Sequence, residues 1–175
     1  MTGYGGTELA NAYRTVRKNT LQIAEDIPAD KYNFVPAPGV KSVGATLVHI
    51  AMSAKLQEDL HRTKKLTTLQ GYDFPAFIGS IAAEEAKPRS KDEIIALLKS
   101  EGENFASWLA TLTPEFLSET YSDHAGENPR TRFEGLLGAK EHEMHHRAQL
   151  MLAERMLGIV PHLTRLMQAR MAARG

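Results

Sequence analysis

Four stretches of this chain repeat their apolar residues at alternating three- and four-residue spacing, and no stretch shows the sustained alternation of a half-buried strand. Over residues 7–27 the positions are Leu9, Tyr13, Val16, Ile23 and Ile27, with Thr20 in the intervening slot. Pro28 ends that helix, and the connector that follows, with Pro36, Pro38 and Gly39, cannot continue it. Ser42 is a good cap for a second helix running to about His61, striped by Val43, Leu47, Ile50 and Ala54. Residues 62–89 carry turn signals at Gly71 and Pro75 and a short helix near 78–86. Ser90 with Glu93 forms a capping box that opens a third helix, whose stripe from Ile94 to Leu112 stops at Thr113-Pro114. Residues 114–130 allow one helical turn at most and then read as a long surface loop through Gly126, Asn128 and Pro129. Thr131 with Glu134 repeats the capping box, and a fourth helix runs to about Leu157, with Gly158 and Pro161 closing it. The expected fold is all-α: a four-helix bundle with long connections and a short, basic C-terminal helix.

A length of 175 residues suits one domain and a core that needs no staples. Lysine plus arginine equals aspartate plus glutamate at 21 each, so no net positive field gathers phosphates or an anionic membrane, and nucleic acid is not an expected partner. There is no cysteine, which removes disulfides, thiolate metal cages and a protein-borne thiol nucleophile. The first residues lack a basic stretch followed by an apolar run, and nowhere do 18 apolar residues follow one another. A cytoplasmic protein with no membrane segment is the expectation.

Histidine is where the chemistry concentrates. Of seven, His142, His145 and His146 fall within five positions of the fourth helix. At 100° per residue, His142 and His146 lie about 40° apart and one turn along, so both imidazoles can reach one ion at about 2.0–2.1 Å, whereas His145 points about 60° to the other side. Gly135, Gly138, Ala139 and Ala153 flank the pair and predict a hollow, with Gln149 one turn beyond His146. Two imidazoles hold a metal weakly, so a third ligand should come from a facing helix, and His49 in the middle of the second helix is the candidate. His61, His162 and His124 sit at element ends or in the loop, where solvated histidines are ordinary. Glu141 and Glu143 read as surface charges, and Arg147 and Arg155 as partners of acids or of the helix end. Met144, Met151 and Phe133 form a second apolar strip that suits core packing or a subunit contact.

The string His142-Glu143-Met144-His145-His146 also matches H-E-x-x-H, in which the glutamate is the general base of a zinc peptidase. That reading lacks a downstream carboxylate ligand, since no Asp or Glu follows Glu154. The extended form needs Gly and His where Gln149 and Leu152 stand.

The segment from His142 through Arg147, Ala148 and Gln149 to Leu150 resembles the HxxxHRGQ signature of the DinB-like (YfiT-like) metal-binding four-helix bundle family. The connector from Pro36 to Gly44 followed by His49, and the ending Arg155 to Pro161, are similar to that family as well, so the landmarks span nearly the whole chain in order. Ala148 departs from the family's usual Gly, at a position about 120° from the ligand face. The resemblance implies a divalent ion, Zn or Ni, held by His49, His142 and His146, and a homodimer. It also implies transferase or isomerase chemistry that uses mycothiol or bacillithiol, with an external low-molecular-weight thiol attacking a small-molecule electrophile. A metal- or ligand-binding stress protein without turnover is the alternative from another class.

Overall fold

The computed structural model describes residues 3–174, and it is mostly helical. The first long helix, α1, spans Gly6–Asp26. A 3-10 turn at Ala29–Lys31 and the Pro/Gly connector lead to α2, Val43–Ser53, where the Ser42 hydroxyl accepts from the Ala45 amide at 3.2 Å. The helical path then falters at Ala54, resumes as α3 (Lys55–Gln57) and widens into a π-helical turn over Glu58–Thr63. The expected second helix is thus present to its end but interrupted. Within residues 62–89 the short helix expected near 78–86 is α4, Phe74–Glu85, capped by Asp73, whose carboxylate accepts from Ala76 N at 2.9 Å.

The capping box of Ser90 and Glu93 opens α5, Lys91–Ala110. The expected loop over 114–130 is partly ordered: α6 is the single turn Pro114–Ser118, and Thr120–Tyr121 pairs antiparallel with Arg130–Thr131 as β1 and β2. Two residues per strand are too few to show alternation, which is why this hairpin left no signal in the sequence. Thr131 and Glu134 box the start of α7, Arg132–Met156, which Gly158 ends with a left-handed backbone (φ 78°). The C-terminal helix is α8, His162–Ala172.

The bundle is α1, α2, α5 and α7. Helices α1 and α2 each pack on both α5 and α7, so α1 stands diagonal to α2 and the first connector crosses the bundle. The core has two apolar halves. Ile23, Leu47, Ile50, Leu98 and Leu150 belong to one, and Leu9, Tyr13, Phe105, Leu109 and Leu136 to the other.

Between the halves lies a polar layer. Arg17 on α1 is 4% exposed and Glu143 on α7 is fully buried, and they form an ion pair at 3.0 Å. The guanidinium also donates to Leu98 O on α5 at 2.7 Å, Ile50 O on α2 at 3.3 Å and the Tyr13 hydroxyl at 2.6 Å, while Thr20 donates to Glu143 Oε1 at 2.7 Å. One buried charge pair therefore ties all four helices. Gly102 makes room for it, since a Cβ there would stand 2.8 Å from Arg17 Cγ. Glu143, expected at the surface, is the opposite: it faces about 100° away from His142, into the core.

Candidate metal centre

His49 is presented by α2, and His142 and His146 by one face of α7, at the level of the Arg17–Glu143 layer but on its solvent side. The Nε2 atoms of His49 and His142 are 3.3 Å apart, as are those of His142 and His146. One nitrogen from each of the three rings falls within 4.8 Å of the others. Tetrahedral ligands about 2.0–2.1 Å from an ion are about 3.4 Å from one another, so the spacing fits a small divalent cation. The helical i, i+4 geometry of His142 and His146 and the cross-helix position of His49 bring the three rings together.

The outward nitrogens settle two of the three tautomers. His49 Nδ1 lies 2.6 Å from Glu85 Oε1, and His146 Nδ1 lies 2.8 Å from Gln149 Oε1. A carboxylate and an amide oxygen can only accept, so both rings carry their proton on Nδ1 and turn the Nε2 lone pair inward. The third ring's Nδ1 is buried without a hydrogen-bond partner. Burial, reinforced by the neighbouring His146 and His49 rings, pushes His142 down to about 4, and burial also lowers His146, so neutral, ligating forms are favoured at neutral pH. The inward Nε2 atoms of His49 and His146 each lie 3.3 Å from Nε2 of His142, and with its proton on the unpartnered Nδ1 the third ring would offer a third lone pair to a cation.

Glu85 was not foreseen. It is the last residue of α4 and packs over α2, where its second oxygen takes a bond from Lys41 of the connector. Burial opposes its charge, yet the hydrogen bonds from Lys41 and His49 hold it below the usual carboxylate range. The one sequence hint was a helix near 78–86, and nothing in the spacing pointed that helix at His49.

Other sequence expectations are redirected. The hollow does not surround the histidines as a single space. Gly135 instead admits the Tyr121 hydroxyl, which a Cβ would meet at 2.2 Å, and Ala139 is packed in the core. Gly138, Asp123 and His124 line a separate cavity of about 330 Å³ that touches none of the three rings. Asp123 organises its own loop, accepting from the amides of Ala125 and Glu127 at 2.9 Å. His61 and His162 are buried, not solvated. His61 Nδ1 meets Arg132 Nη1 at 2.9 Å, and burial next to Arg132 lowers it to about 4. Arg155 bonds the Thr164 hydroxyl rather than an acid, and Met144 is 42% exposed.

The peptidase reading loses its catalytic residue. A general base must face the ion and its water, whereas Glu143 is fully buried and bonded to Arg17 and Thr20 on the other side of α7.

The model of the DinB superfamily matches residues 12–150, a span that holds all three histidines. This chain belongs to the DinB superfamily. Two solved structures support the fold assignment. The chain is similar to YfiT from Bacillus subtilis, described as a probable metal-dependent hydrolase with an unusual four-helix bundle topology. The match has 17% identity, a TM-score of 0.68 and 91% coverage of both chains. It is also similar to the DinB-like protein YjoA from Bacillus subtilis, with 23% identity and a TM-score of 0.64 over 86% of this chain and 92% of that one. No curated protein matches the sequence. Among the described residues, no helix is long and apolar enough to cross a membrane.

Proposed function

We propose that this DinB-superfamily chain is a metal-dependent enzyme acting on small molecules, with one divalent ion, Zn or Ni, held by Nε2 of His49, His142 and His146. The observation that carries the reading is the convergence of these nitrogens at 3.3 Å, with Nδ1 of His49 and His146 anchored by Glu85 and Gln149. When bound, the ion supplies Lewis acidity and a binding position for a nucleophile. The residues orient the rings: Glu85 and Gln149 hold the Nδ1 protons so that each Nε2 faces inward, and the buried Arg17–Glu143 pair fixes the rotation of α7.

There is no cysteine, and the one carboxylate bonded to a ligand ring, Glu85, is occupied by His49 and Lys41, so we read the nucleophile as one supplied from outside the chain. An external low-molecular-weight thiol suits such a site, since a thiol with a pKa near 8.5 ionises close to neutrality without a dedicated base. We therefore favour thiol S-transfer. Hydrolysis is the second reading, supported by the description of YfiT as a probable metal-dependent hydrolase.

Metal analysis of the purified chain is expected to give about one divalent ion, lost in His49→Ala, His142→Ala and His146→Ala and retained in His145→Ala. Retention in His49→Ala removes the cross-helix ligand and the proposal with it. Bacillithiol, mycothiol and glutathione conjugation assays against an electrophile panel, run beside an ester and amide hydrolysis panel, separate the two reactions. No turnover in either panel leaves a metal-binding protein in place of an enzyme.

A further inference from the structure

We infer that the cavity beside His146 seats an apolar tail of the molecule held at the metal centre, so that the substrates of this chain join a metal-ligating head to a short aliphatic or aryl group. The inference rests on reading the three histidines as a metal site.

The cavity measures about 350 Å³ and lies between the connector and α7, with His146 and Gln149 among its lining residues. Its walls are apolar: Val40 from the connector, Val43 from α2, and Leu150, Leu152 and Ala153 from α7. The polar groups that reach it are already engaged. The Thr46 hydroxyl donates to Ser42 O at 2.9 Å, Lys41 is turned to Glu85, and the Gln149 amide oxygen is bonded to His146 Nδ1 at 2.8 Å. A polar tail would find few free partners, whereas an apolar one would lose water at little cost. At roughly 30 Å³ for a water-sized group, the space admits about ten of them, which suits a hexyl to nonyl chain or a substituted phenyl.

The other cavities fit this role less well. The one beside Gly138 carries Asp123, His124, Arg130, Glu134 and Glu141 and touches no ligand ring. A larger one, about 820 Å³, lies between residues 55–66 and 70–80 and also touches none of them. Val40 and Leu152 are 51% and 59% exposed, so apolar side chains stand at the open rim of the cavity that adjoins His146.

Linear alkyl hydroxamates test this, because the head ligates zinc and the tail length is set independently. Calorimetric titration of the zinc-loaded full chain with acetohydroxamate, hexanohydroxamate and octanohydroxamate is expected to show affinity rising roughly two- to fourfold per added methylene until the cavity is full. Val40→Asn and Leu152→Asn, both at exposed positions that tolerate substitution, should flatten the length dependence and leave acetohydroxamate binding within about twofold. Equal affinity for all three probes in the zinc-loaded chain overturns the inference and leaves the metal centre standing. A length dependence unchanged in both variants also overturns it, because the tail then lies elsewhere. Failure of the chain to take up either zinc or nickel removes the metal reading itself and the tail subsite with it.

Discussion

Replacing Glu143 by alanine should be among the most damaging single changes in this chain. The carboxylate is fully buried, and its removal leaves the Arg17 guanidinium, itself 4% exposed, without its counter-charge. Arg17 keeps only neutral acceptors, namely the carbonyls of Leu98 and Ile50 and the Tyr13 hydroxyl, while Thr20 loses the oxygen it donates to. Breaking a buried pair on one side costs about 3–5 kcal/mol, against a total stability of about 5–15 kcal/mol for a domain. Urea unfolding in the presence of a chelator, followed by the fluorescence of the single tryptophan, Trp108, measures the loss without contribution from metal. Arg17→Met combined with Glu143→Leu should recover most of it, because an apolar pair carries no unpaired charge. A Glu143→Ala variant within about 1 kcal/mol of the parent, or a double variant no more stable than the single one, would refute the claim that this pair staples the bundle.

Glu85→Ala should weaken zinc binding by about 10- to 100-fold in a chelator competition assay, because His49 loses the acceptor that fixes its Nδ1 proton, while Glu85→Gln, which keeps an oxygen acceptor, should lose less. Unchanged affinity in Glu85→Ala would mean that the carboxylate only anchors α4. A second expectation concerns Glu154, whose carboxylate is fully buried with both oxygens unpartnered; burial, followed by the charge of Asp26, raises it to about 7. The folded chain then holds a proton that the unfolded chain releases near 4.5, so this contribution to stability is present below pH 4.5 and is lost as pH rises to about 7. The full span is of order 3 kcal/mol. Glu154→Gln should abolish that part of the pH dependence in urea titrations between pH 4.5 and 7.5, and an identical slope in variant and parent would show that Glu154 is ionised in the folded state.

The parts of the fold and site that could be read from the sequence were those set by local spacing. Capping boxes at Ser90 and Thr131 and the stop at Gly158 located three helix ends, because a cap is a contact between residues three apart. The His142 and His146 pair is likewise a property of one helix. His49 needed a further chemical argument, that a pair of imidazoles wants a third ligand, and the cross-helix distance agrees with it. Glu143 and Glu85 could not be found in this way. A glutamate between two ligating histidines looks like a surface charge unless the arginine facing it is known, and Arg17 lies 126 positions away. Glu85 is 36 positions from His49, across the segment whose turn signals gave no orientation for α4. The misplaced hollow has a similar origin. Gly135 was read as empty space, when its missing Cβ is filled by the hydroxyl of Tyr121 from a hairpin too short to leave a pattern.

The buried pair and the three histidines are parts of one arrangement. Arg17 bonds the carbonyl of Ile50, next to His49, and the carboxylate of Glu143, next to His142, so one guanidinium spans the two helices that supply the ligands. Rotating α7 by one residue, about 100°, would take Glu143 off Arg17 and swing His142 and His146 away from His49 together. The register that buries the charge pair is therefore the register that assembles the site. Lysine at position 17 would keep the charge but cannot hold all these acceptors at once, because a single ammonium lacks the planar fork. Arg17→Lys should accordingly fold yet bind zinc about tenfold more weakly, although residue 17 is not among the proposed ligands, and its affinity should fall with little change in ion stoichiometry. If Arg17→Lys loses several kcal/mol of stability in the chelated state while its zinc affinity in the folded state stays at the parent value, the polar layer holds the bundle together without setting the geometry of the centre.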